Sequence, residues 1–247
     1  MRIDILTLFP KMFEGIINSS IIKRAIEKQV ITINIHDFRQ YSEKKNWQVD
    51  DYSYGGGAGM IIGVQPIVDC LRSIPNFSEA KKIITTPCGL PYSQEKAISY
   101  ANEKHLIIVC GHYEGIDNRI THYIDEEVSI GDFILTGGEI AALAIVDSVV
   151  RLIPQVLGNE ESIEVESFDN DLLEFPQYTR PVDFEGHVVP EVLLSGNHEN
   201  IRQWRRFKSL ENTFKNRPDL LAKAKLTKED KKFLEMIEKN EDFKANN

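Results

Sequence analysis

The run Leu106-Ile107-Ile108-Val109-Cys110 contains no charged or amide side chain. A strand with no polar face is covered on both sides, which is the situation of inner strands in parallel sheets. Parallel neighbours must be joined by crossovers, usually helices, and the flanking sequence supplies them. Apolar spacing predicts strands over 2–9, 30–37 and 82–86, with a further short strand or two within 128–134. Helical periods fall at 11–28, 64–72, 93–102 (Ser93 as N-cap) and 139–153. Such alternation specifies an α/β domain.

The pattern changes after Gly158. Residues 159–170 are acidic and carry no period, and read as a linker. From Pro190 onward the periods are helical, at 201–213, 218–224 and 228–239. Charge divides in the same way. The chain of 247 residues carries a net charge of −9, from 29 basic and 38 acidic residues. Residues 195–232 hold eleven basic side chains against five acidic ones, a local +6 that leaves −15 on the remainder. An acidic chain does not coat nucleic acid without discrimination, but a basic helical segment suits one specific polyanion.

Other classes are excluded more simply. No apolar run approaches the ~20 residues of a bilayer span, and no secretion signal is read, so neither a membrane partner nor export is expected. Cys70, Cys88 and Cys110 form no CxxC pair. Zinc and dithiol chemistry are therefore not indicated, and reduced thiols in a cytoplasmic location are expected.

Four segments place glycine and polar residues beside the expected strands: 54–60, 85–89, 110–115 and 130–138. In open α/β sheets ligands bind at the carboxyl ends of strands, and glycines let backbone approach a ligand. Neither GxGxxG nor GxxxxGK[ST] occurs, so the dinucleotide and P-loop fingerprints do not apply. His112 reads as a general base or an ordinary loop histidine. Arg151 reads as a cation at a helix C-terminus or an anion clamp. The linker acids Glu160, Glu161, Glu164, Glu166 and Asp169 read as solvating charges or as a base acting between two domains. Trp204 among Arg202, Arg205 and Arg206 reads as a base-stacking platform or a core residue.

The ordered strings Leu6-Thr7-Leu8-Phe9-Pro10-Lys11-Met12-Phe13, Tyr54-Gly55-Gly56-Gly57-Ala58-Gly59-Met60, Cys110-Gly111-His112-Tyr113-Glu114-Gly115-Ile116-Asp117, Ser129-Ile130-Gly131-Asp132-Phe133-Ile134-Leu135-Thr136-Gly137-Gly138-Glu139, Arg151-Leu152-Ile153-Pro154, Tyr178-Thr179-Arg180-Pro181 and Leu194-Ser195-Gly196-Asn197-His198 together resemble one family nearly end to end. It is the bacterial tRNA (guanine-37-N1)-methyltransferases of the SPOUT class. The resemblance implies a trefoil-knotted parallel-sheet α/β domain over 1–158, a linker over 159–175 and a small all-α tRNA-binding domain over 176–247.

It further implies an obligate homodimer and S-adenosylmethionine held by Thr85, Thr86, Pro87 and Gly89, by Gly111, Tyr113, Glu114 and Gly115, and by Ile130, Gly131, Asp132, Phe133, Ile134, Leu135, Gly137 and Gly138. The tRNA anticodon stem-loop would be gripped through Arg180, Ser195, Asn197, His198, Arg202, Trp204 and Arg205, with no DNA partner. A magnesium requirement is implied without an assigned ligand set. Catalysis would use Glu166 as base and Arg151 as charge stabiliser. The family's base is an aspartate; here Glu166-Ser167-Phe168 occupies that motif, and Asp169 lies three residues on. His112 stands where arginine is common, Ala58 where proline is usual, and Asp171 where glycine is usual. A competing reading, motivated by the Asp-to-Glu change, is a non-catalytic tRNA-binding protein that keeps the knotted fold as scaffold.

Overall fold

The computed structural model describes residues 1–157 and 167–243. The chain divides into two compact units, Met1–Gly158 and Asn159–Asn247.

Unit one is built on a five-stranded parallel sheet in the order β2-β1-β6-β5-β7. The strands are β1 (Arg2–Thr7), β2 (Thr32–Asp37), β5 (Lys81–Pro91), β6 (His105–Cys110) and β7 (Glu126–Ser129). A two-stranded ladder pairs β3 (Asp50–Asp51) with β4 (Ile61–Ile62). The apolar run is the central strand, β6. Leu106, Ile108 and Cys110 enter one core, with Ile3, Ile5 and Ile83. Ile107 and Val109 enter the other, with Leu6 and Ile84. All five residues of the run are fully buried, as expected for a strand without a polar face.

Helices cover both faces. α3 (Val64–Ser73) packs Ile67, Val68 and Leu71 into the second core, while α4 (Gln94–Ala101) and α5 (Glu139–Val150) bring Tyr100, Ala142, Ile145, Val146 and Val149 into the first. Ser93 caps α4 by accepting from the Lys96 amide. The helix expected over 11–28 is broken. A 3-10 turn at Pro10–Phe13 leads into α1 (Glu14–Ile17), and α2 (Ser20–Glu27) follows. The backbone leaves the helical track at Ser19, whose extended conformation precedes a positive φ at Ser20. The apolar spacing survives the break because α2 resumes with Ile22 and Ala25 inward.

Within β5, Thr85 and Leu90 both pair with Val128 on β7, so residues 86–89 form an outward bulge. The strand expected within 128–134 stops at Ser129, and the rest is loop.

Unit two is mostly helical: α6 (Glu191–Leu194), α7 (His198–Asn216), α8 (Pro218–Leu221) and α9 (Lys228–Glu238). It is not all-α. β8 (Asp183–Phe184) and β9 (His187–Val188) form a hairpin whose central residues, Glu185 and Gly186, both have positive φ, as a tight two-residue turn requires. Leu172 is buried with Phe207, Leu210, Phe233 and Ile237. The Leu173 amide donates to Thr213 Oγ1 at 2.9 Å, and Asn212 donates to the Glu174 carbonyl at 2.9 Å. Residues 172–174 thus pack on α7, inside the stretch expected as linker. α9 starts with a capping box between Thr227 and Asp230.

Candidate functional site

β6, β5 and β7 are adjacent in the sheet; segments 111–115 and 130–138 leave from the carboxyl ends of β6 and β7, and 85–89 spans the bulge within β5. Their backbones are stitched together. The Gly138 amide donates to the Gly111 carbonyl at 2.8 Å, and His112 bridges Gly137 in antiparallel fashion. Thr85 Oγ1 donates to the carbonyls of Val109 and Gly138, each at 3.3 Å. Two glycines are sterically required here. A Cβ on Gly138 would collide with Thr85 Oγ1 and sit 2.9 Å from the Gly111 nitrogen, and a Cβ on Gly89 would collide with the β7 backbone at Val128.

Loop 111–117 is fixed on its other side by β4. The Ile62 amide donates to the Gly115 carbonyl at 2.9 Å, and the Asp117 amide donates to the Ile62 carbonyl at 2.8 Å. The Glu114 amide donates to Met60 O at 3.1 Å. The 54–60 segment, one of the four glycine-rich candidates, therefore ends against the same site.

The structure places Thr85, Gly89, Gly111, Gly115, Gly131, Leu135, Gly137 and Gly138 at partly or fully buried positions in this cluster. Pro87, Tyr113, Glu114, Asp132, Phe133 and Ile134 are exposed on its rim; Thr86 and Ile130 are half-buried. Arg151 directly follows α5, is half-buried, and donates its amide to Asp147 O at 3.2 Å. Glu166 lies outside the described residues, as do the linker acids Glu160, Glu161 and Glu164.

Beneath the loops is a polar cluster that sequence reasoning missed. Glu139, the first residue of α5, is buried, and accepts from Thr7 Oγ1 at 2.8 Å. Its carboxylate lies at a helix N-terminus, where the helix dipole favours an anion. His112 Nδ1 lies 4.0 Å from Glu139 Oε2 and, among the described residues, is the only buried side-chain nitrogen or oxygen without a hydrogen-bond partner. The Phe9 ring centroid is 4.7 Å from that of His112. The available signal was an acid directly after Gly137-Gly138 at the head of an apolar helix.

In unit two, Arg180, Ser195, Asn197, His198, Arg202 and Arg205 are exposed. Asn197 caps α7 by accepting from the Asn200 amide at 3.1 Å. Arg202 is held by Glu199 and Glu229 at 2.7 and 3.2 Å. Trp204 is buried, so its ring is part of the core of this unit and not an open stacking platform. Among the described residues no three His, Cys, Asp or Glu side chains come together as a metal site, and no helix is long and apolar enough to cross a membrane.

A family model described as tRNA (guanine-1)-methyltransferase TrmD matches residues 1–223. A protein of Clostridium novyi (strain NT) named tRNA (guanine-N(1)-)-methyltransferase is 56% identical over 239 residues, covering 97% of this chain and 99% of that relative. The protein of the same name from Clostridium botulinum (strain Hall) is 57% identical over the same coverage. That of Staphylococcus haemolyticus (strain JCSC1435) is 50% identical over 240 residues, covering 97% of this chain and 98% of the relative.

Proposed function

Because the chain belongs to the tRNA (guanine-1)-methyltransferase family, we propose that it methylates N1 of guanine 37 in tRNA with S-adenosylmethionine as donor. The observation that carries this reading is the convergence of three glycine-rich segments on adjacent parallel strands, two at strand ends and one as a bulge in β5. Residues 85–89, 111–115 and 130–135 offer backbone donors and acceptors with little side-chain cover, which suits a nucleoside held by main chain. The unpartnered His112 nitrogen beside them adds an unsatisfied polar atom to the same place. The residues therefore fit the donor.

S-adenosylmethionine supplies an electrophilic methyl group on a cationic sulfonium. Guanine N1 keeps its proton at neutral pH and is a poor nucleophile until that proton leaves. Glu166 accepts that proton as general base. Arg151 places a guanidinium where negative charge grows at O6, an electrostatic stabilisation worth more in a dry site than in water. The loops hold the donor, and orientation of donor and guanine supplies much of the acceleration. Glu166 and Arg151 are assigned from the family motif. No magnesium ligand is assigned.

The proposal includes a trefoil knot in unit one, an exception to the general avoidance of threaded chains, and a homodimer. Leu90, Phe133, Ile134 and Ile140 expose large apolar side chains on these loops and the first turn of α5, which supports burial against a second copy. Unit two takes the anticodon stem-loop.

The test is methyl transfer from labelled S-adenosylmethionine to two tRNA transcripts that differ only in guanine or adenine at position 37. Label in the guanine transcript alone, mapped to N1, is expected. Label in both would refute the target, and label in neither, with tRNA still bound, would refute the activity.

A further inference from the structure

Most arginines of unit two are paired with carboxylates of the same unit. Of the five arginines in residues 167–243, Arg202, Arg206 and Arg217 are ion-paired with Glu199 and Glu229, Asp230 and Asp219, respectively. Lys208 and Lys215 both hold Glu211 at 2.7 Å. Arg180 and Arg205 have no carboxylate partner among the described residues, and both line one cavity of about 700 Å³ between residues 174–182 and α7. That volume is in the range of small-molecule sites.

Beside the two arginines, the cavity is lined by aliphatic side chains and by three aromatic rings, Phe175, Tyr178 and Trp204. Phe175 lies under the Arg205 guanidinium, 5.0 Å from carbon to ring centroid. Tyr178 is half exposed, and its ring centroid lies 6.3 Å from that of buried Trp204. Glu174 and Gln177 complete one side, the Gln177 amide donating to the Glu174 carboxylate. Uncompensated guanidiniums, an exposed aromatic face and an acid–amide pair are the three elements that hold an unstacked nucleotide. Cations take the phosphate, the ring stacks on the base, and the polar pair reads a base edge.

We propose that this cavity seats one unpaired nucleotide of the bound RNA, stacked on Tyr178, with its phosphate at Arg180 and Arg205. The proposal rests on the reading of the chain as a tRNA enzyme and adds a nucleotide-specific contact in unit two, separate from the methyl-transfer site. A second protein copy is the less favoured occupant, because two unpaired arginines would need carboxylates from it.

The experiment uses the full chain and tRNAs that each carry 2-aminopurine at one position of the anticodon loop. One position is expected to change fluorescence on binding, and Tyr178→Leu should abolish that change and weaken tRNA binding about tenfold. Arg205→Gln should weaken binding with a shallower salt dependence. Both variants should retain the wild-type melting temperature and affinity for S-adenosylmethionine. If the same positions respond in wild type and Tyr178→Leu, with equal affinity, the proposal is overturned. A shift toward monomer in sedimentation, with tRNA affinity unchanged, would assign the cavity to a second copy and also overturn it. Displacement of the 2-aminopurine signal by GMP at unchanged tRNA binding would assign it to a free nucleotide. Failure of the wild-type chain to bind tRNA at all would instead refute the function itself.

Discussion

Thr7 and Glu139 are 132 positions apart in sequence, yet the Thr7 hydroxyl donates to the Glu139 carboxylate at 2.8 Å in a fully buried setting. This bond ties the end of β1 to the head of α5 directly under the glycine loops. Glu139→Ala leaves the Thr7 hydroxyl without its acceptor and removes the anion from the helix N-terminus. A loss of about 2 kcal/mol in chemical denaturation is expected, together with weaker S-adenosylmethionine binding by calorimetry. Glu139→Gln keeps an acceptor and should recover most of the stability. Equal stability of wild type and the alanine variant would remove the cluster's structural role.

Gly138→Ala tests the stitching of the loops. The added methyl meets Thr85 Oγ1 and the backbone of Gly111 and Cys110. A cost of about 1–3 kcal/mol is expected from overpacking, with donor affinity falling at least tenfold. Gly15→Ala, where nothing lies within 4 Å of the new methyl, should leave both unchanged.

Asp4 makes the fold acid-sensitive. Burial alone would raise its pKa, but hydrogen bonds from His36, Arg2 and His105 outweigh burial and hold the carboxyl well below its usual range. The unfolded chain therefore binds the proton more readily. Stability from Asp4 is complete above the unfolded value of about 3.9 and is lost as pH falls from there toward the folded value. Asp4→Asn should lower stability at pH 7 by about 3 kcal/mol and flatten the acid limb of a melting-temperature profile. An unchanged acid limb would assign the sensitivity to other carboxylates.

Arg206 and Arg202 lie one helical turn apart on α7 but should differ sharply. Arg206 pairs through two nitrogens with Asp230, which is buried, at 2.7 and 2.8 Å. Arg206→Ala strands that charge, and a loss of about 3 kcal/mol is expected. Arg202 makes exposed pairs, and Arg202→Ala should cost under about 1 kcal/mol. Fluorescence of buried Trp204 follows both.

Glu166→Gln should reduce the single-turnover methyl-transfer rate at least a hundredfold, the usual scale for loss of a general base, with tRNA affinity unchanged. Glu166→Asp restores the family's usual side chain and should remain active. A glutamine variant at wild-type rate would exclude Glu166 as the base.

Much of the architecture was readable because it depends on local period. The apolar run of β6 indicated a strand covered on both faces, and glycine-rich segments marked the ends of β6 and β7, whereas β5 continues past Gly89 to Pro91. Reading failed where a local pattern has two solutions. The spacing over 11–28 is satisfied by one helix or by two with a break at Ser19, and only packing of Phe13 and Ile22 into the first core selects the second. The bulge at 86–89 was legible as a turn, while its consequence, two residues of β5 facing Val128, depends on pairing with a strand forty positions away.

The catalytic assignment came from motif resemblance, and Glu166 lies outside the described residues. The polar cluster of Thr7, His112 and Glu139 could not be read from spacing, because its members meet only when β1, β6 and α5 are packed. The same holds for charge. Sequence alone determined that this is an α/β chain with a basic helical segment, since periodicity and composition are properties of neighbouring residues. Tertiary structure alone decided that Arg206 is neutralised by Asp230, 24 positions away, while Arg180 and Arg205 face a cavity with no carboxylate partner among the described residues, because whether a charge is compensated depends on which distant carboxylates the fold brings within reach.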